Sequence, residues 1–211
     1  MPAKDEARKL VRRILREYPS PRPTLDFSNG LELLVATILA AQCTDERVNQ
    51  VTKRLFEKYR DAGAYAEAKQ SQLEKEVKST GFFRQKAKAI REVCRKIVEK
   101  HGGEVPRTME ELTALPGVGR KTANMVLGDT FGMPGIIVDT HVKRVSERTG
   151  LTDERNPDKI EADLQAIVPK RKWTVFSHAV MAHGRSNCVA RKPHCSRCPL
   201  RKLCPYGGPS D

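Results

Sequence analysis

Residues 115–123 read Leu-Pro-Gly-Val-Gly-Arg-Lys-Thr-Ala, a turn between the end of one apolar helical segment and the start of another. Two glycines one residue apart, Gly117 and Gly119, allow a tight turn whose backbone approaches a partner closely. The helix that follows directs its first amide groups beyond the turn, and an anion such as a phosphate is favoured there. An ordinary helix corner also uses glycines, but the nine-residue string is more specific than G-x-G alone. The string predicts a helical hairpin that holds an anion.

On both sides of this turn, apolar residues recur at helical spacing. The clearest faces are Leu10, Val11, Ile14 and Leu15; Leu34, Val35, Ile38 and Leu39; Val48, Val51 and Leu55; Ile90, Val93, Cys94, Ile97 and Val98; and Ile160, Leu164, Ile167 and Val168. Another helix is predicted from about Lys172 through Ala182. Only Ile136–Val138 resembles a strand, and nothing pairs with it. The sequence therefore predicts an all-α fold.

Three helix starts carry capping signatures. Two match the capping box, in which a hydroxyl and a carboxylate three residues apart pair with backbone amides, and the third places Asn before Pro at the first helical position. They are Ser71 with Glu74, Thr108 with Glu111, and Asn156 with Pro157. We expect a helix to begin at each of these positions.

The charge balance points to a polyanionic partner. Lys and Arg number 39 against 26 Asp and Glu, which gives a formal net charge of +13 at pH 7. Neutralising phosphates with such a surface releases counterions, so nucleic acid is favoured over a merely soluble basic protein. The amino terminus is charged rather than apolar, and the longest apolar run, residues 33–41, is too short to span a bilayer. We expect a cytoplasmic protein that is associated with the nucleoid if bacterial.

Four of the six cysteines lie within seventeen residues, with the spacing C-x6-C-x2-C-x5-C. They are Cys188, Cys195, Cys198 and Cys204. Thiols stay reduced in the cytosol, so this cluster indicates a metal centre rather than disulfides. Tetrahedral zinc and a [4Fe–4S] cluster both remain open on spacing alone. Arg191 and Lys192 lie on the loop between the first two cysteines, where they either contact nucleic acid or are simply solvated.

Taken together, four segments resemble the endonuclease III family of DNA glycosylases. LPGVGRKTA resembles the helix-hairpin-helix signature, residues 138–142 (VDTHV) its aspartate motif, and residues 39–45 (LAAQCTD) its glutamine-bearing turn; the cysteine spacing also matches. The resemblance implies two domains with the active site in the cleft between them. A helical barrel domain would span residues 22–133, and an iron–sulfur domain would combine residues 1–21 with 134–211.

The resemblance implies a bifunctional DNA glycosylase and AP lyase of base excision repair that removes oxidised pyrimidines. Lys121 takes the position of the lysine that attacks the sugar of a flipped nucleotide, leaving an imine that undergoes β-elimination. Asp139 takes the position of the catalytic carboxylate, which stabilises the oxocarbenium-like sugar and shuttles protons. As an alternative, Asp139 is only the N-cap of the helix that carries Val142 and Val145.

The resemblance also implies a [4Fe–4S] cluster and a set of DNA contacts made by a monomer on a duplex with a damaged base or abasic site. Gln42 would fill the hole left by the flipped base, and Phe82 takes the wedge position where the family commonly has leucine. The other expected contacts are Leu115, Gly117, Val118, Gly119, Arg120, His141, Arg191 and Lys192. For His141, two alternatives are a role in orienting Lys121 or Asp139 and a purely structural role with its hydrogen bonds satisfied within the fold.

Three rival interpretations remain. The mismatch-type adenine glycosylases of the same superfamily typically lack a lysine at the hairpin and carry an extra carboxy-terminal domain; no such domain is expected in the seven residues after Cys204. A non-catalytic DNA-binding module predicts salt-sensitive binding without covalent chemistry. A zinc protein predicts a colourless centre, whereas iron–sulfur centres absorb broadly near ~400 nm.

Overall fold

The computed structural model describes residues 4–207, in which eleven α-helices and no β-strand occur. The helices are α1 (Lys4–Glu17), α2 (Gly30–Leu39), α3 (Asp45–Lys58), α4 (Ala62–Glu67), α5 (Gln70–Val77), α6 (Phe83–His101), α7 (Met109–Thr113), α8 (Arg120–Phe131), α9 (Thr140–Arg148), α10 (Pro157–Ile167) and α11 (Trp173–Ser186). The predicted all-α class is confirmed. Within the described range no helix is long and apolar enough to cross a membrane.

The chain forms two compact units. One is Pro23–Gly132 and contains α2 to α8. The other joins the described residues up to Arg22 to those from Met133 onward, and contains α1 and α9 to α11. The terminal residues 1–3 and 208–211 of the expected iron–sulfur domain lie outside the described residues.

The core of Pro23–Gly132 is built from helix faces that the apolar spacing identified. Helix α2 buries residues on several sides, and α6 contributes one stripe. Each fully buried Leu or Ile stabilises such a core by about 1.5–3 kcal/mol relative to an exposed one. Val98, which the sequence assigned to the α6 stripe, is 41% exposed because it lies one residue, about 100° of helix, beyond the buried Ile97.

Two of the three predicted helix starts are confirmed. The Thr108 hydroxyl accepts the Glu111 amide at 3.2 Å and donates to the Glu111 carboxylate at 2.8 Å. Asn156 caps α10, with Pro157 as its first residue. The Ser71 capping box is wrong: α5 begins one residue earlier, at Gln70, after an extended Lys69 whose carbonyl accepts the Leu73 amide at 3.1 Å.

In the second unit, the strand-like segment Ile136–Val138 is buried without a sheet. Helix α11 supplies the hydrogen-bond partners that a neighbouring strand would provide. The Ile137 amide donates to the Ser177 hydroxyl at 2.9 Å, and the Gly135 amide to the Thr174 hydroxyl at 3.3 Å. This anchored segment leads directly into Asp139 and α9, and so limits the freedom of the residues that follow it.

Candidate active site

The turn between α7 and α8 exposes backbone while its apolar residues anchor it. Leu115 and Val118 are buried, and the Val118 amide donates to the Leu115 carbonyl at 3.2 Å. Gly117 has a φ of 76°, a left-handed conformation that side-chain-bearing residues rarely adopt. A Cβ atom built on Gly117 or Gly119 would meet no atom within 4 Å. The outer face of this turn is therefore open to a ligand that approaches the backbone.

Helix α8 begins immediately after the turn, and Lys121 is its second residue. Its N-cap, Gly119, has no side chain and so provides no side-chain cap for the first amides. Arg120 and Lys121 are exposed on this first turn. The first backbone amides of a helix, the helix dipole and two cationic side chains all favour an anion at this end. The arrangement suits a phosphate of a bound strand, with the Lys121 amine accessible beside it.

Three segments that are distant in sequence line one cavity of about 570 Å³ in the unit Pro23–Gly132. Its lining includes Gln42 from the segment after α2, Phe82 from the segment before α6, and Gly117 from the hairpin. Thr122, next to Lys121 in the chain, also lines it. Three of the sequence-predicted DNA-contacting residues therefore surround one concave site.

Gln42 and Phe82 share an unusual backbone conformation. Their φ angles are 53° and 47°, in the left-handed region that costs a residue with a Cβ atom about 1–2 kcal/mol. Phe82 is also 57% exposed, and Gln42 is exposed. At Phe82 the strained backbone and the exposure of an aromatic ring each lower the stability of the fold. Features with such a cost concentrate at functional sites. Positive φ angles and exposure together make both side chains candidates for contact with a partner.

The sequence analysis missed Lys86, which also lines this cavity. The residue lies on the buried face of α6 with only 5% of its surface exposed. A signal for it exists in the sequence, since Lys86 lies one helical turn before Ile90 on the apolar stripe. A charged residue at such a position is rarely buried unless its head group is paired.

Asp139 in the second unit is the N-cap of α9. Its Oδ1 accepts the Val142 amide at 2.7 Å, so the capping role weighed from the sequence is present. This bond uses one of the two carboxylate oxygens and fixes the orientation of the group. Capping is therefore compatible with a second, chemical role for the same carboxylate.

His141 is half-buried and pairs with Arg144, whose Nη2 lies 3.1 Å from the imidazole Nδ1. Because a guanidinium only donates, Nδ1 accepts this hydrogen bond. Burial lowers the pKa of His141; the Asp139 carboxylate opposes that shift and Arg144 adds to it. Gly184 packs against the ring, since a Cβ there would lie 2.9 Å from the His141 Cβ. These contacts favour the purely structural role for His141.

Two arginines that the sequence analysis also missed connect α9 to the cysteine segment. Arg144 Nε donates to the Cys188 carbonyl at 3.0 Å. Arg148 donates to the Val189 carbonyl at 2.8 Å and the Ala190 carbonyl at 2.9 Å. The His194 amide closes the other end of the loop by donating to the Asn187 carbonyl at 2.9 Å. The loop that presents Arg191 and Lys192, both exposed, is thus held at both ends.

None of the four clustered cysteines is in a disulfide, and their thiols lie near one another. Burial raises the pKa of Cys198, and the neighbouring Cys204, Cys188 and Cys195 thiols raise it further. Such crowding of potential thiolates favours a cationic centre among them. Arg148 Nη1 is 3.5 Å from Cys188 Sγ, and His183 Nε2 is 3.7 Å from Cys198 Sγ. The donor set therefore fits a metal–thiolate group.

Both a tetrahedral zinc ion and a [4Fe–4S] cluster are held by four cysteine thiolates, so this donor set fits either centre.

Known proteins similar to this chain share these segments. A family model described as HhH-GPD superfamily base excision DNA repair protein matches residues 35–170, and one described as the iron-sulfur binding domain of endonuclease III matches residues 188–204. Endonuclease III of Synechocystis sp. is 52% identical over 203 residues, covering 96% of this chain and 93% of the relative. Endonuclease III of Bacillus subtilis is 46% identical, covering 92% and 89%. A solved structure of a trapped endonuclease III–DNA covalent intermediate, an estranged-adenine complex, has a TM-score of 0.94 at 43% identity and covers 98% of both chains.

Proposed function

The chain belongs to the endonuclease III family of the HhH-GPD superfamily of base excision DNA repair proteins, and we propose how its residues carry out that repair. It is a DNA glycosylase and AP lyase that carries an iron–sulfur cluster and binds DNA. The proposed substrate is a duplex with an oxidised pyrimidine or an abasic site, bound by a monomer in the cytoplasm.

In the proposed reaction, the Lys121 amine forms a bond to the sugar C1′ as the C1′–N bond to the damaged base breaks. The base leaves with the bonding electrons and takes up a proton, and the amine nitrogen loses a proton. The nitrogen lone pair then expels O4′, so the C1′–O4′ bond breaks, O4′ takes up a proton, and the opened sugar is left as a protonated imine. The imine acidifies the adjacent C2′ proton. Its removal expels the 3′ phosphate by β-elimination and cleaves the strand 3′ to the abasic site.

The position of Lys121 supports this role. It lies one residue beyond the open glycine turn, on an exposed first helical turn that favours phosphate. A strand held there by its phosphate would present its sugar to the adjacent amine, which provides the proximity that the attack requires. A relative of known structure was trapped as a covalent intermediate with DNA, as expected for such a nucleophile.

For Asp139 we propose two functions, stabilisation of positive charge on the sugar and transfer of protons to and from the reacting groups. Its carboxylate is oriented by the Val142 amide and follows the anchored segment Ile136–Val138. Preorganisation of this kind is what electrostatic stabilisation of a transition state requires.

The observation that carries the proposal is the cavity that Gln42, Phe82 and the hairpin line together. An exposed phenyl ring on a strained backbone suits insertion between base pairs. Gln42 beside it would fill the gap left by the flipped nucleotide and contact the orphaned base. Glycines at the hairpin would hold the strand close to Lys121.

A direct test uses duplexes that each carry one lesion. We expect release of thymine glycol with cleavage 3′ to the site, at a rate on the order of 10²-fold above that for oxidised or alkylated purines. Free base and strand cleavage are measured on the same samples. Preferential release of a purine would contradict the substrate class, and tight binding with neither product would favour a DNA-binding module.

Cys188, Cys195, Cys198 and Cys204 are the proposed ligands of the cluster, which supplies cross-links rather than chemistry at the sugar. Apolar packing contributes little to this segment, since Leu200 is its one fully buried apolar residue among the described positions after Asn187. We expect Cys198→Ser to lower the broad absorption near ~400 nm. The free energy of unfolding should fall by at least about 3 kcal/mol, which would lower the Tm by roughly 6–12 °C.

The matched control for this variant is Cys43→Ser, which changes a half-buried cysteine of the other unit and leaves the four clustered thiols intact. It should keep the absorption of the wild type. An unchanged Tm in Cys198→Ser, measured by circular dichroism, would show that the cluster does not stabilise the fold.

A further inference from the structure

Lys86 connects two segments that are remote in sequence. Its Nζ donates to the Leu39 carbonyl at 2.8 Å and to the Thr80 carbonyl at 2.7 Å. Leu39 is the last residue of α2, and Thr80 is the last residue of the 3₁₀ turn Lys78–Thr80. Carbonyls at such ends lack intrahelical donors, and the helix dipole favours a cation beside them. A single buried ammonium group therefore caps both ends at once.

Each capped end leads directly into a residue with a strained backbone. Gln42 follows Leu39 by three residues, and Phe82 follows Thr80 by two. Both have positive φ angles, 53° and 47°. Left-handed residues persist only where the surrounding structure holds them. The ammonium group of Lys86 is a contact that the two segments share.

Burial makes this lysine costly to keep. Only 5% of Lys86 is exposed, and burial lowers its pKa while the nearby Cys43 thiol opposes the shift. An apolar residue at this position of the α6 stripe would continue the core with Ile90, Val93 and Ile97. A function of the ammonium group beyond packing explains why the position is not apolar.

We propose that Lys86 is a positioning residue that sets the separation and direction of Gln42 and Phe82 for insertion into the base stack. This inference rests on the proposed function of those two residues. Lys86 itself lies beneath them and is not required to touch the reacting sugar. Its loss should therefore impair the opening of a base pair and spare the chemistry of Lys121.

The test compares Lys86→Met with the wild type on two substrates. The substitution keeps the approximate length of the side chain and removes its hydrogen-bond donors. On a duplex with paired thymine glycol, base release should fall by about 10- to 100-fold. On a single-stranded oligonucleotide with an abasic site, which has no pair to open, borohydride trapping should stay within about two-fold of wild type. Equal losses on both substrates would indicate a general structural defect and overturn the proposal.

Lys88→Met is the matched control, because Lys88 lies two residues along the same helix with an exposed side chain. It should behave as wild type on both substrates. Lys86→Gln, which retains a shorter donor, serves for the same comparison if the Tm of Lys86→Met falls below the assay temperature.

A double-mutant cycle tests the route of the effect. In a Gln42→Ala, Phe82→Ala background, Lys86→Met should cost no more than about a further two-fold in duplex activity. The inference would be overturned if Lys86→Met lowered duplex activity in this background by the same factor as in the wild type. It would also be overturned if the Gln42→Ala, Phe82→Ala background itself kept full duplex activity. Failure of the wild type to trap on the abasic oligonucleotide would instead overturn the proposed nucleophilic function, so the two failures are distinguishable.

Discussion

Replacing Lys121 with glutamine should abolish the covalent complex that borohydride traps on a duplex with one thymine glycol. Removal of a nucleophile typically lowers the rate of an enzyme more than any other single substitution does. We expect the rate of strand cleavage to fall by on the order of 10⁴- to 10⁶-fold. Glutamine keeps the approximate length of the side chain and its exposed place on the first turn of α8. Fold and binding should therefore persist while the chemistry stops.

Two controls separate this result from a loss of binding. Affinity of Lys121→Gln for a duplex with a stable abasic analogue should stay within about ten-fold of wild type, or about 1.4 kcal/mol. Arg120→Gln, at the neighbouring exposed position, should weaken binding with a reduced salt dependence and still form the trapped complex. Persistent trapping in Lys121→Gln would assign the nucleophile to another amine.

Replacing Asp139 with asparagine should lower base release by roughly 10²- to 10⁴-fold without destabilising the protein. Asparagine caps a helix about as well as aspartate, so the hydrogen bond from the Val142 amide is expected to survive. What the variant loses is the negative charge. The measurement is single-turnover base release, with the Tm followed by circular dichroism.

Asp139→Ala provides the comparison, because it removes both the charge and the cap. Loss of the cap should cost about 1 kcal/mol, a further 2–4 °C in Tm that Asp139→Asn does not show. Wild-type activity in Asp139→Asn would mean that the residue is a helix cap and nothing more.

Several features could be predicted because they depend on residues within one short stretch. The Thr108 and Asn156 caps use hydrogen bonds across two or three residues, and both are confirmed. The all-α class follows from apolar spacing, and membership of the endonuclease III family follows from contiguous motifs. The cluster, too, is indicated by four cysteines that are close in sequence.

Other features depend on where the fold brings distant atoms. Helix α5 begins at Gln70 rather than at the Ser71 capping box, and the Gln70 side chain accepts from Arg91 of α6 at 3.2 Å. The spacing of residues near Ser71 does not predict that contact. Arg144 and Arg148 likewise bind carbonyls about forty residues away, beyond the reach of any local pattern.

The sequence by itself determined the helical class, the family and the motifs that the proposed chemistry uses, because each depends on residues that are neighbours in the chain. The left-handed conformations of Gln42 and Phe82 were decided only by tertiary structure. So was the burial of Lys86 between two carbonyls that lie 47 and 6 residues from it in the chain. The physical reason is that a buried ammonium group is tolerated only where acceptors converge on it, and the packing of α2, the 3₁₀ turn and α6 creates that convergence.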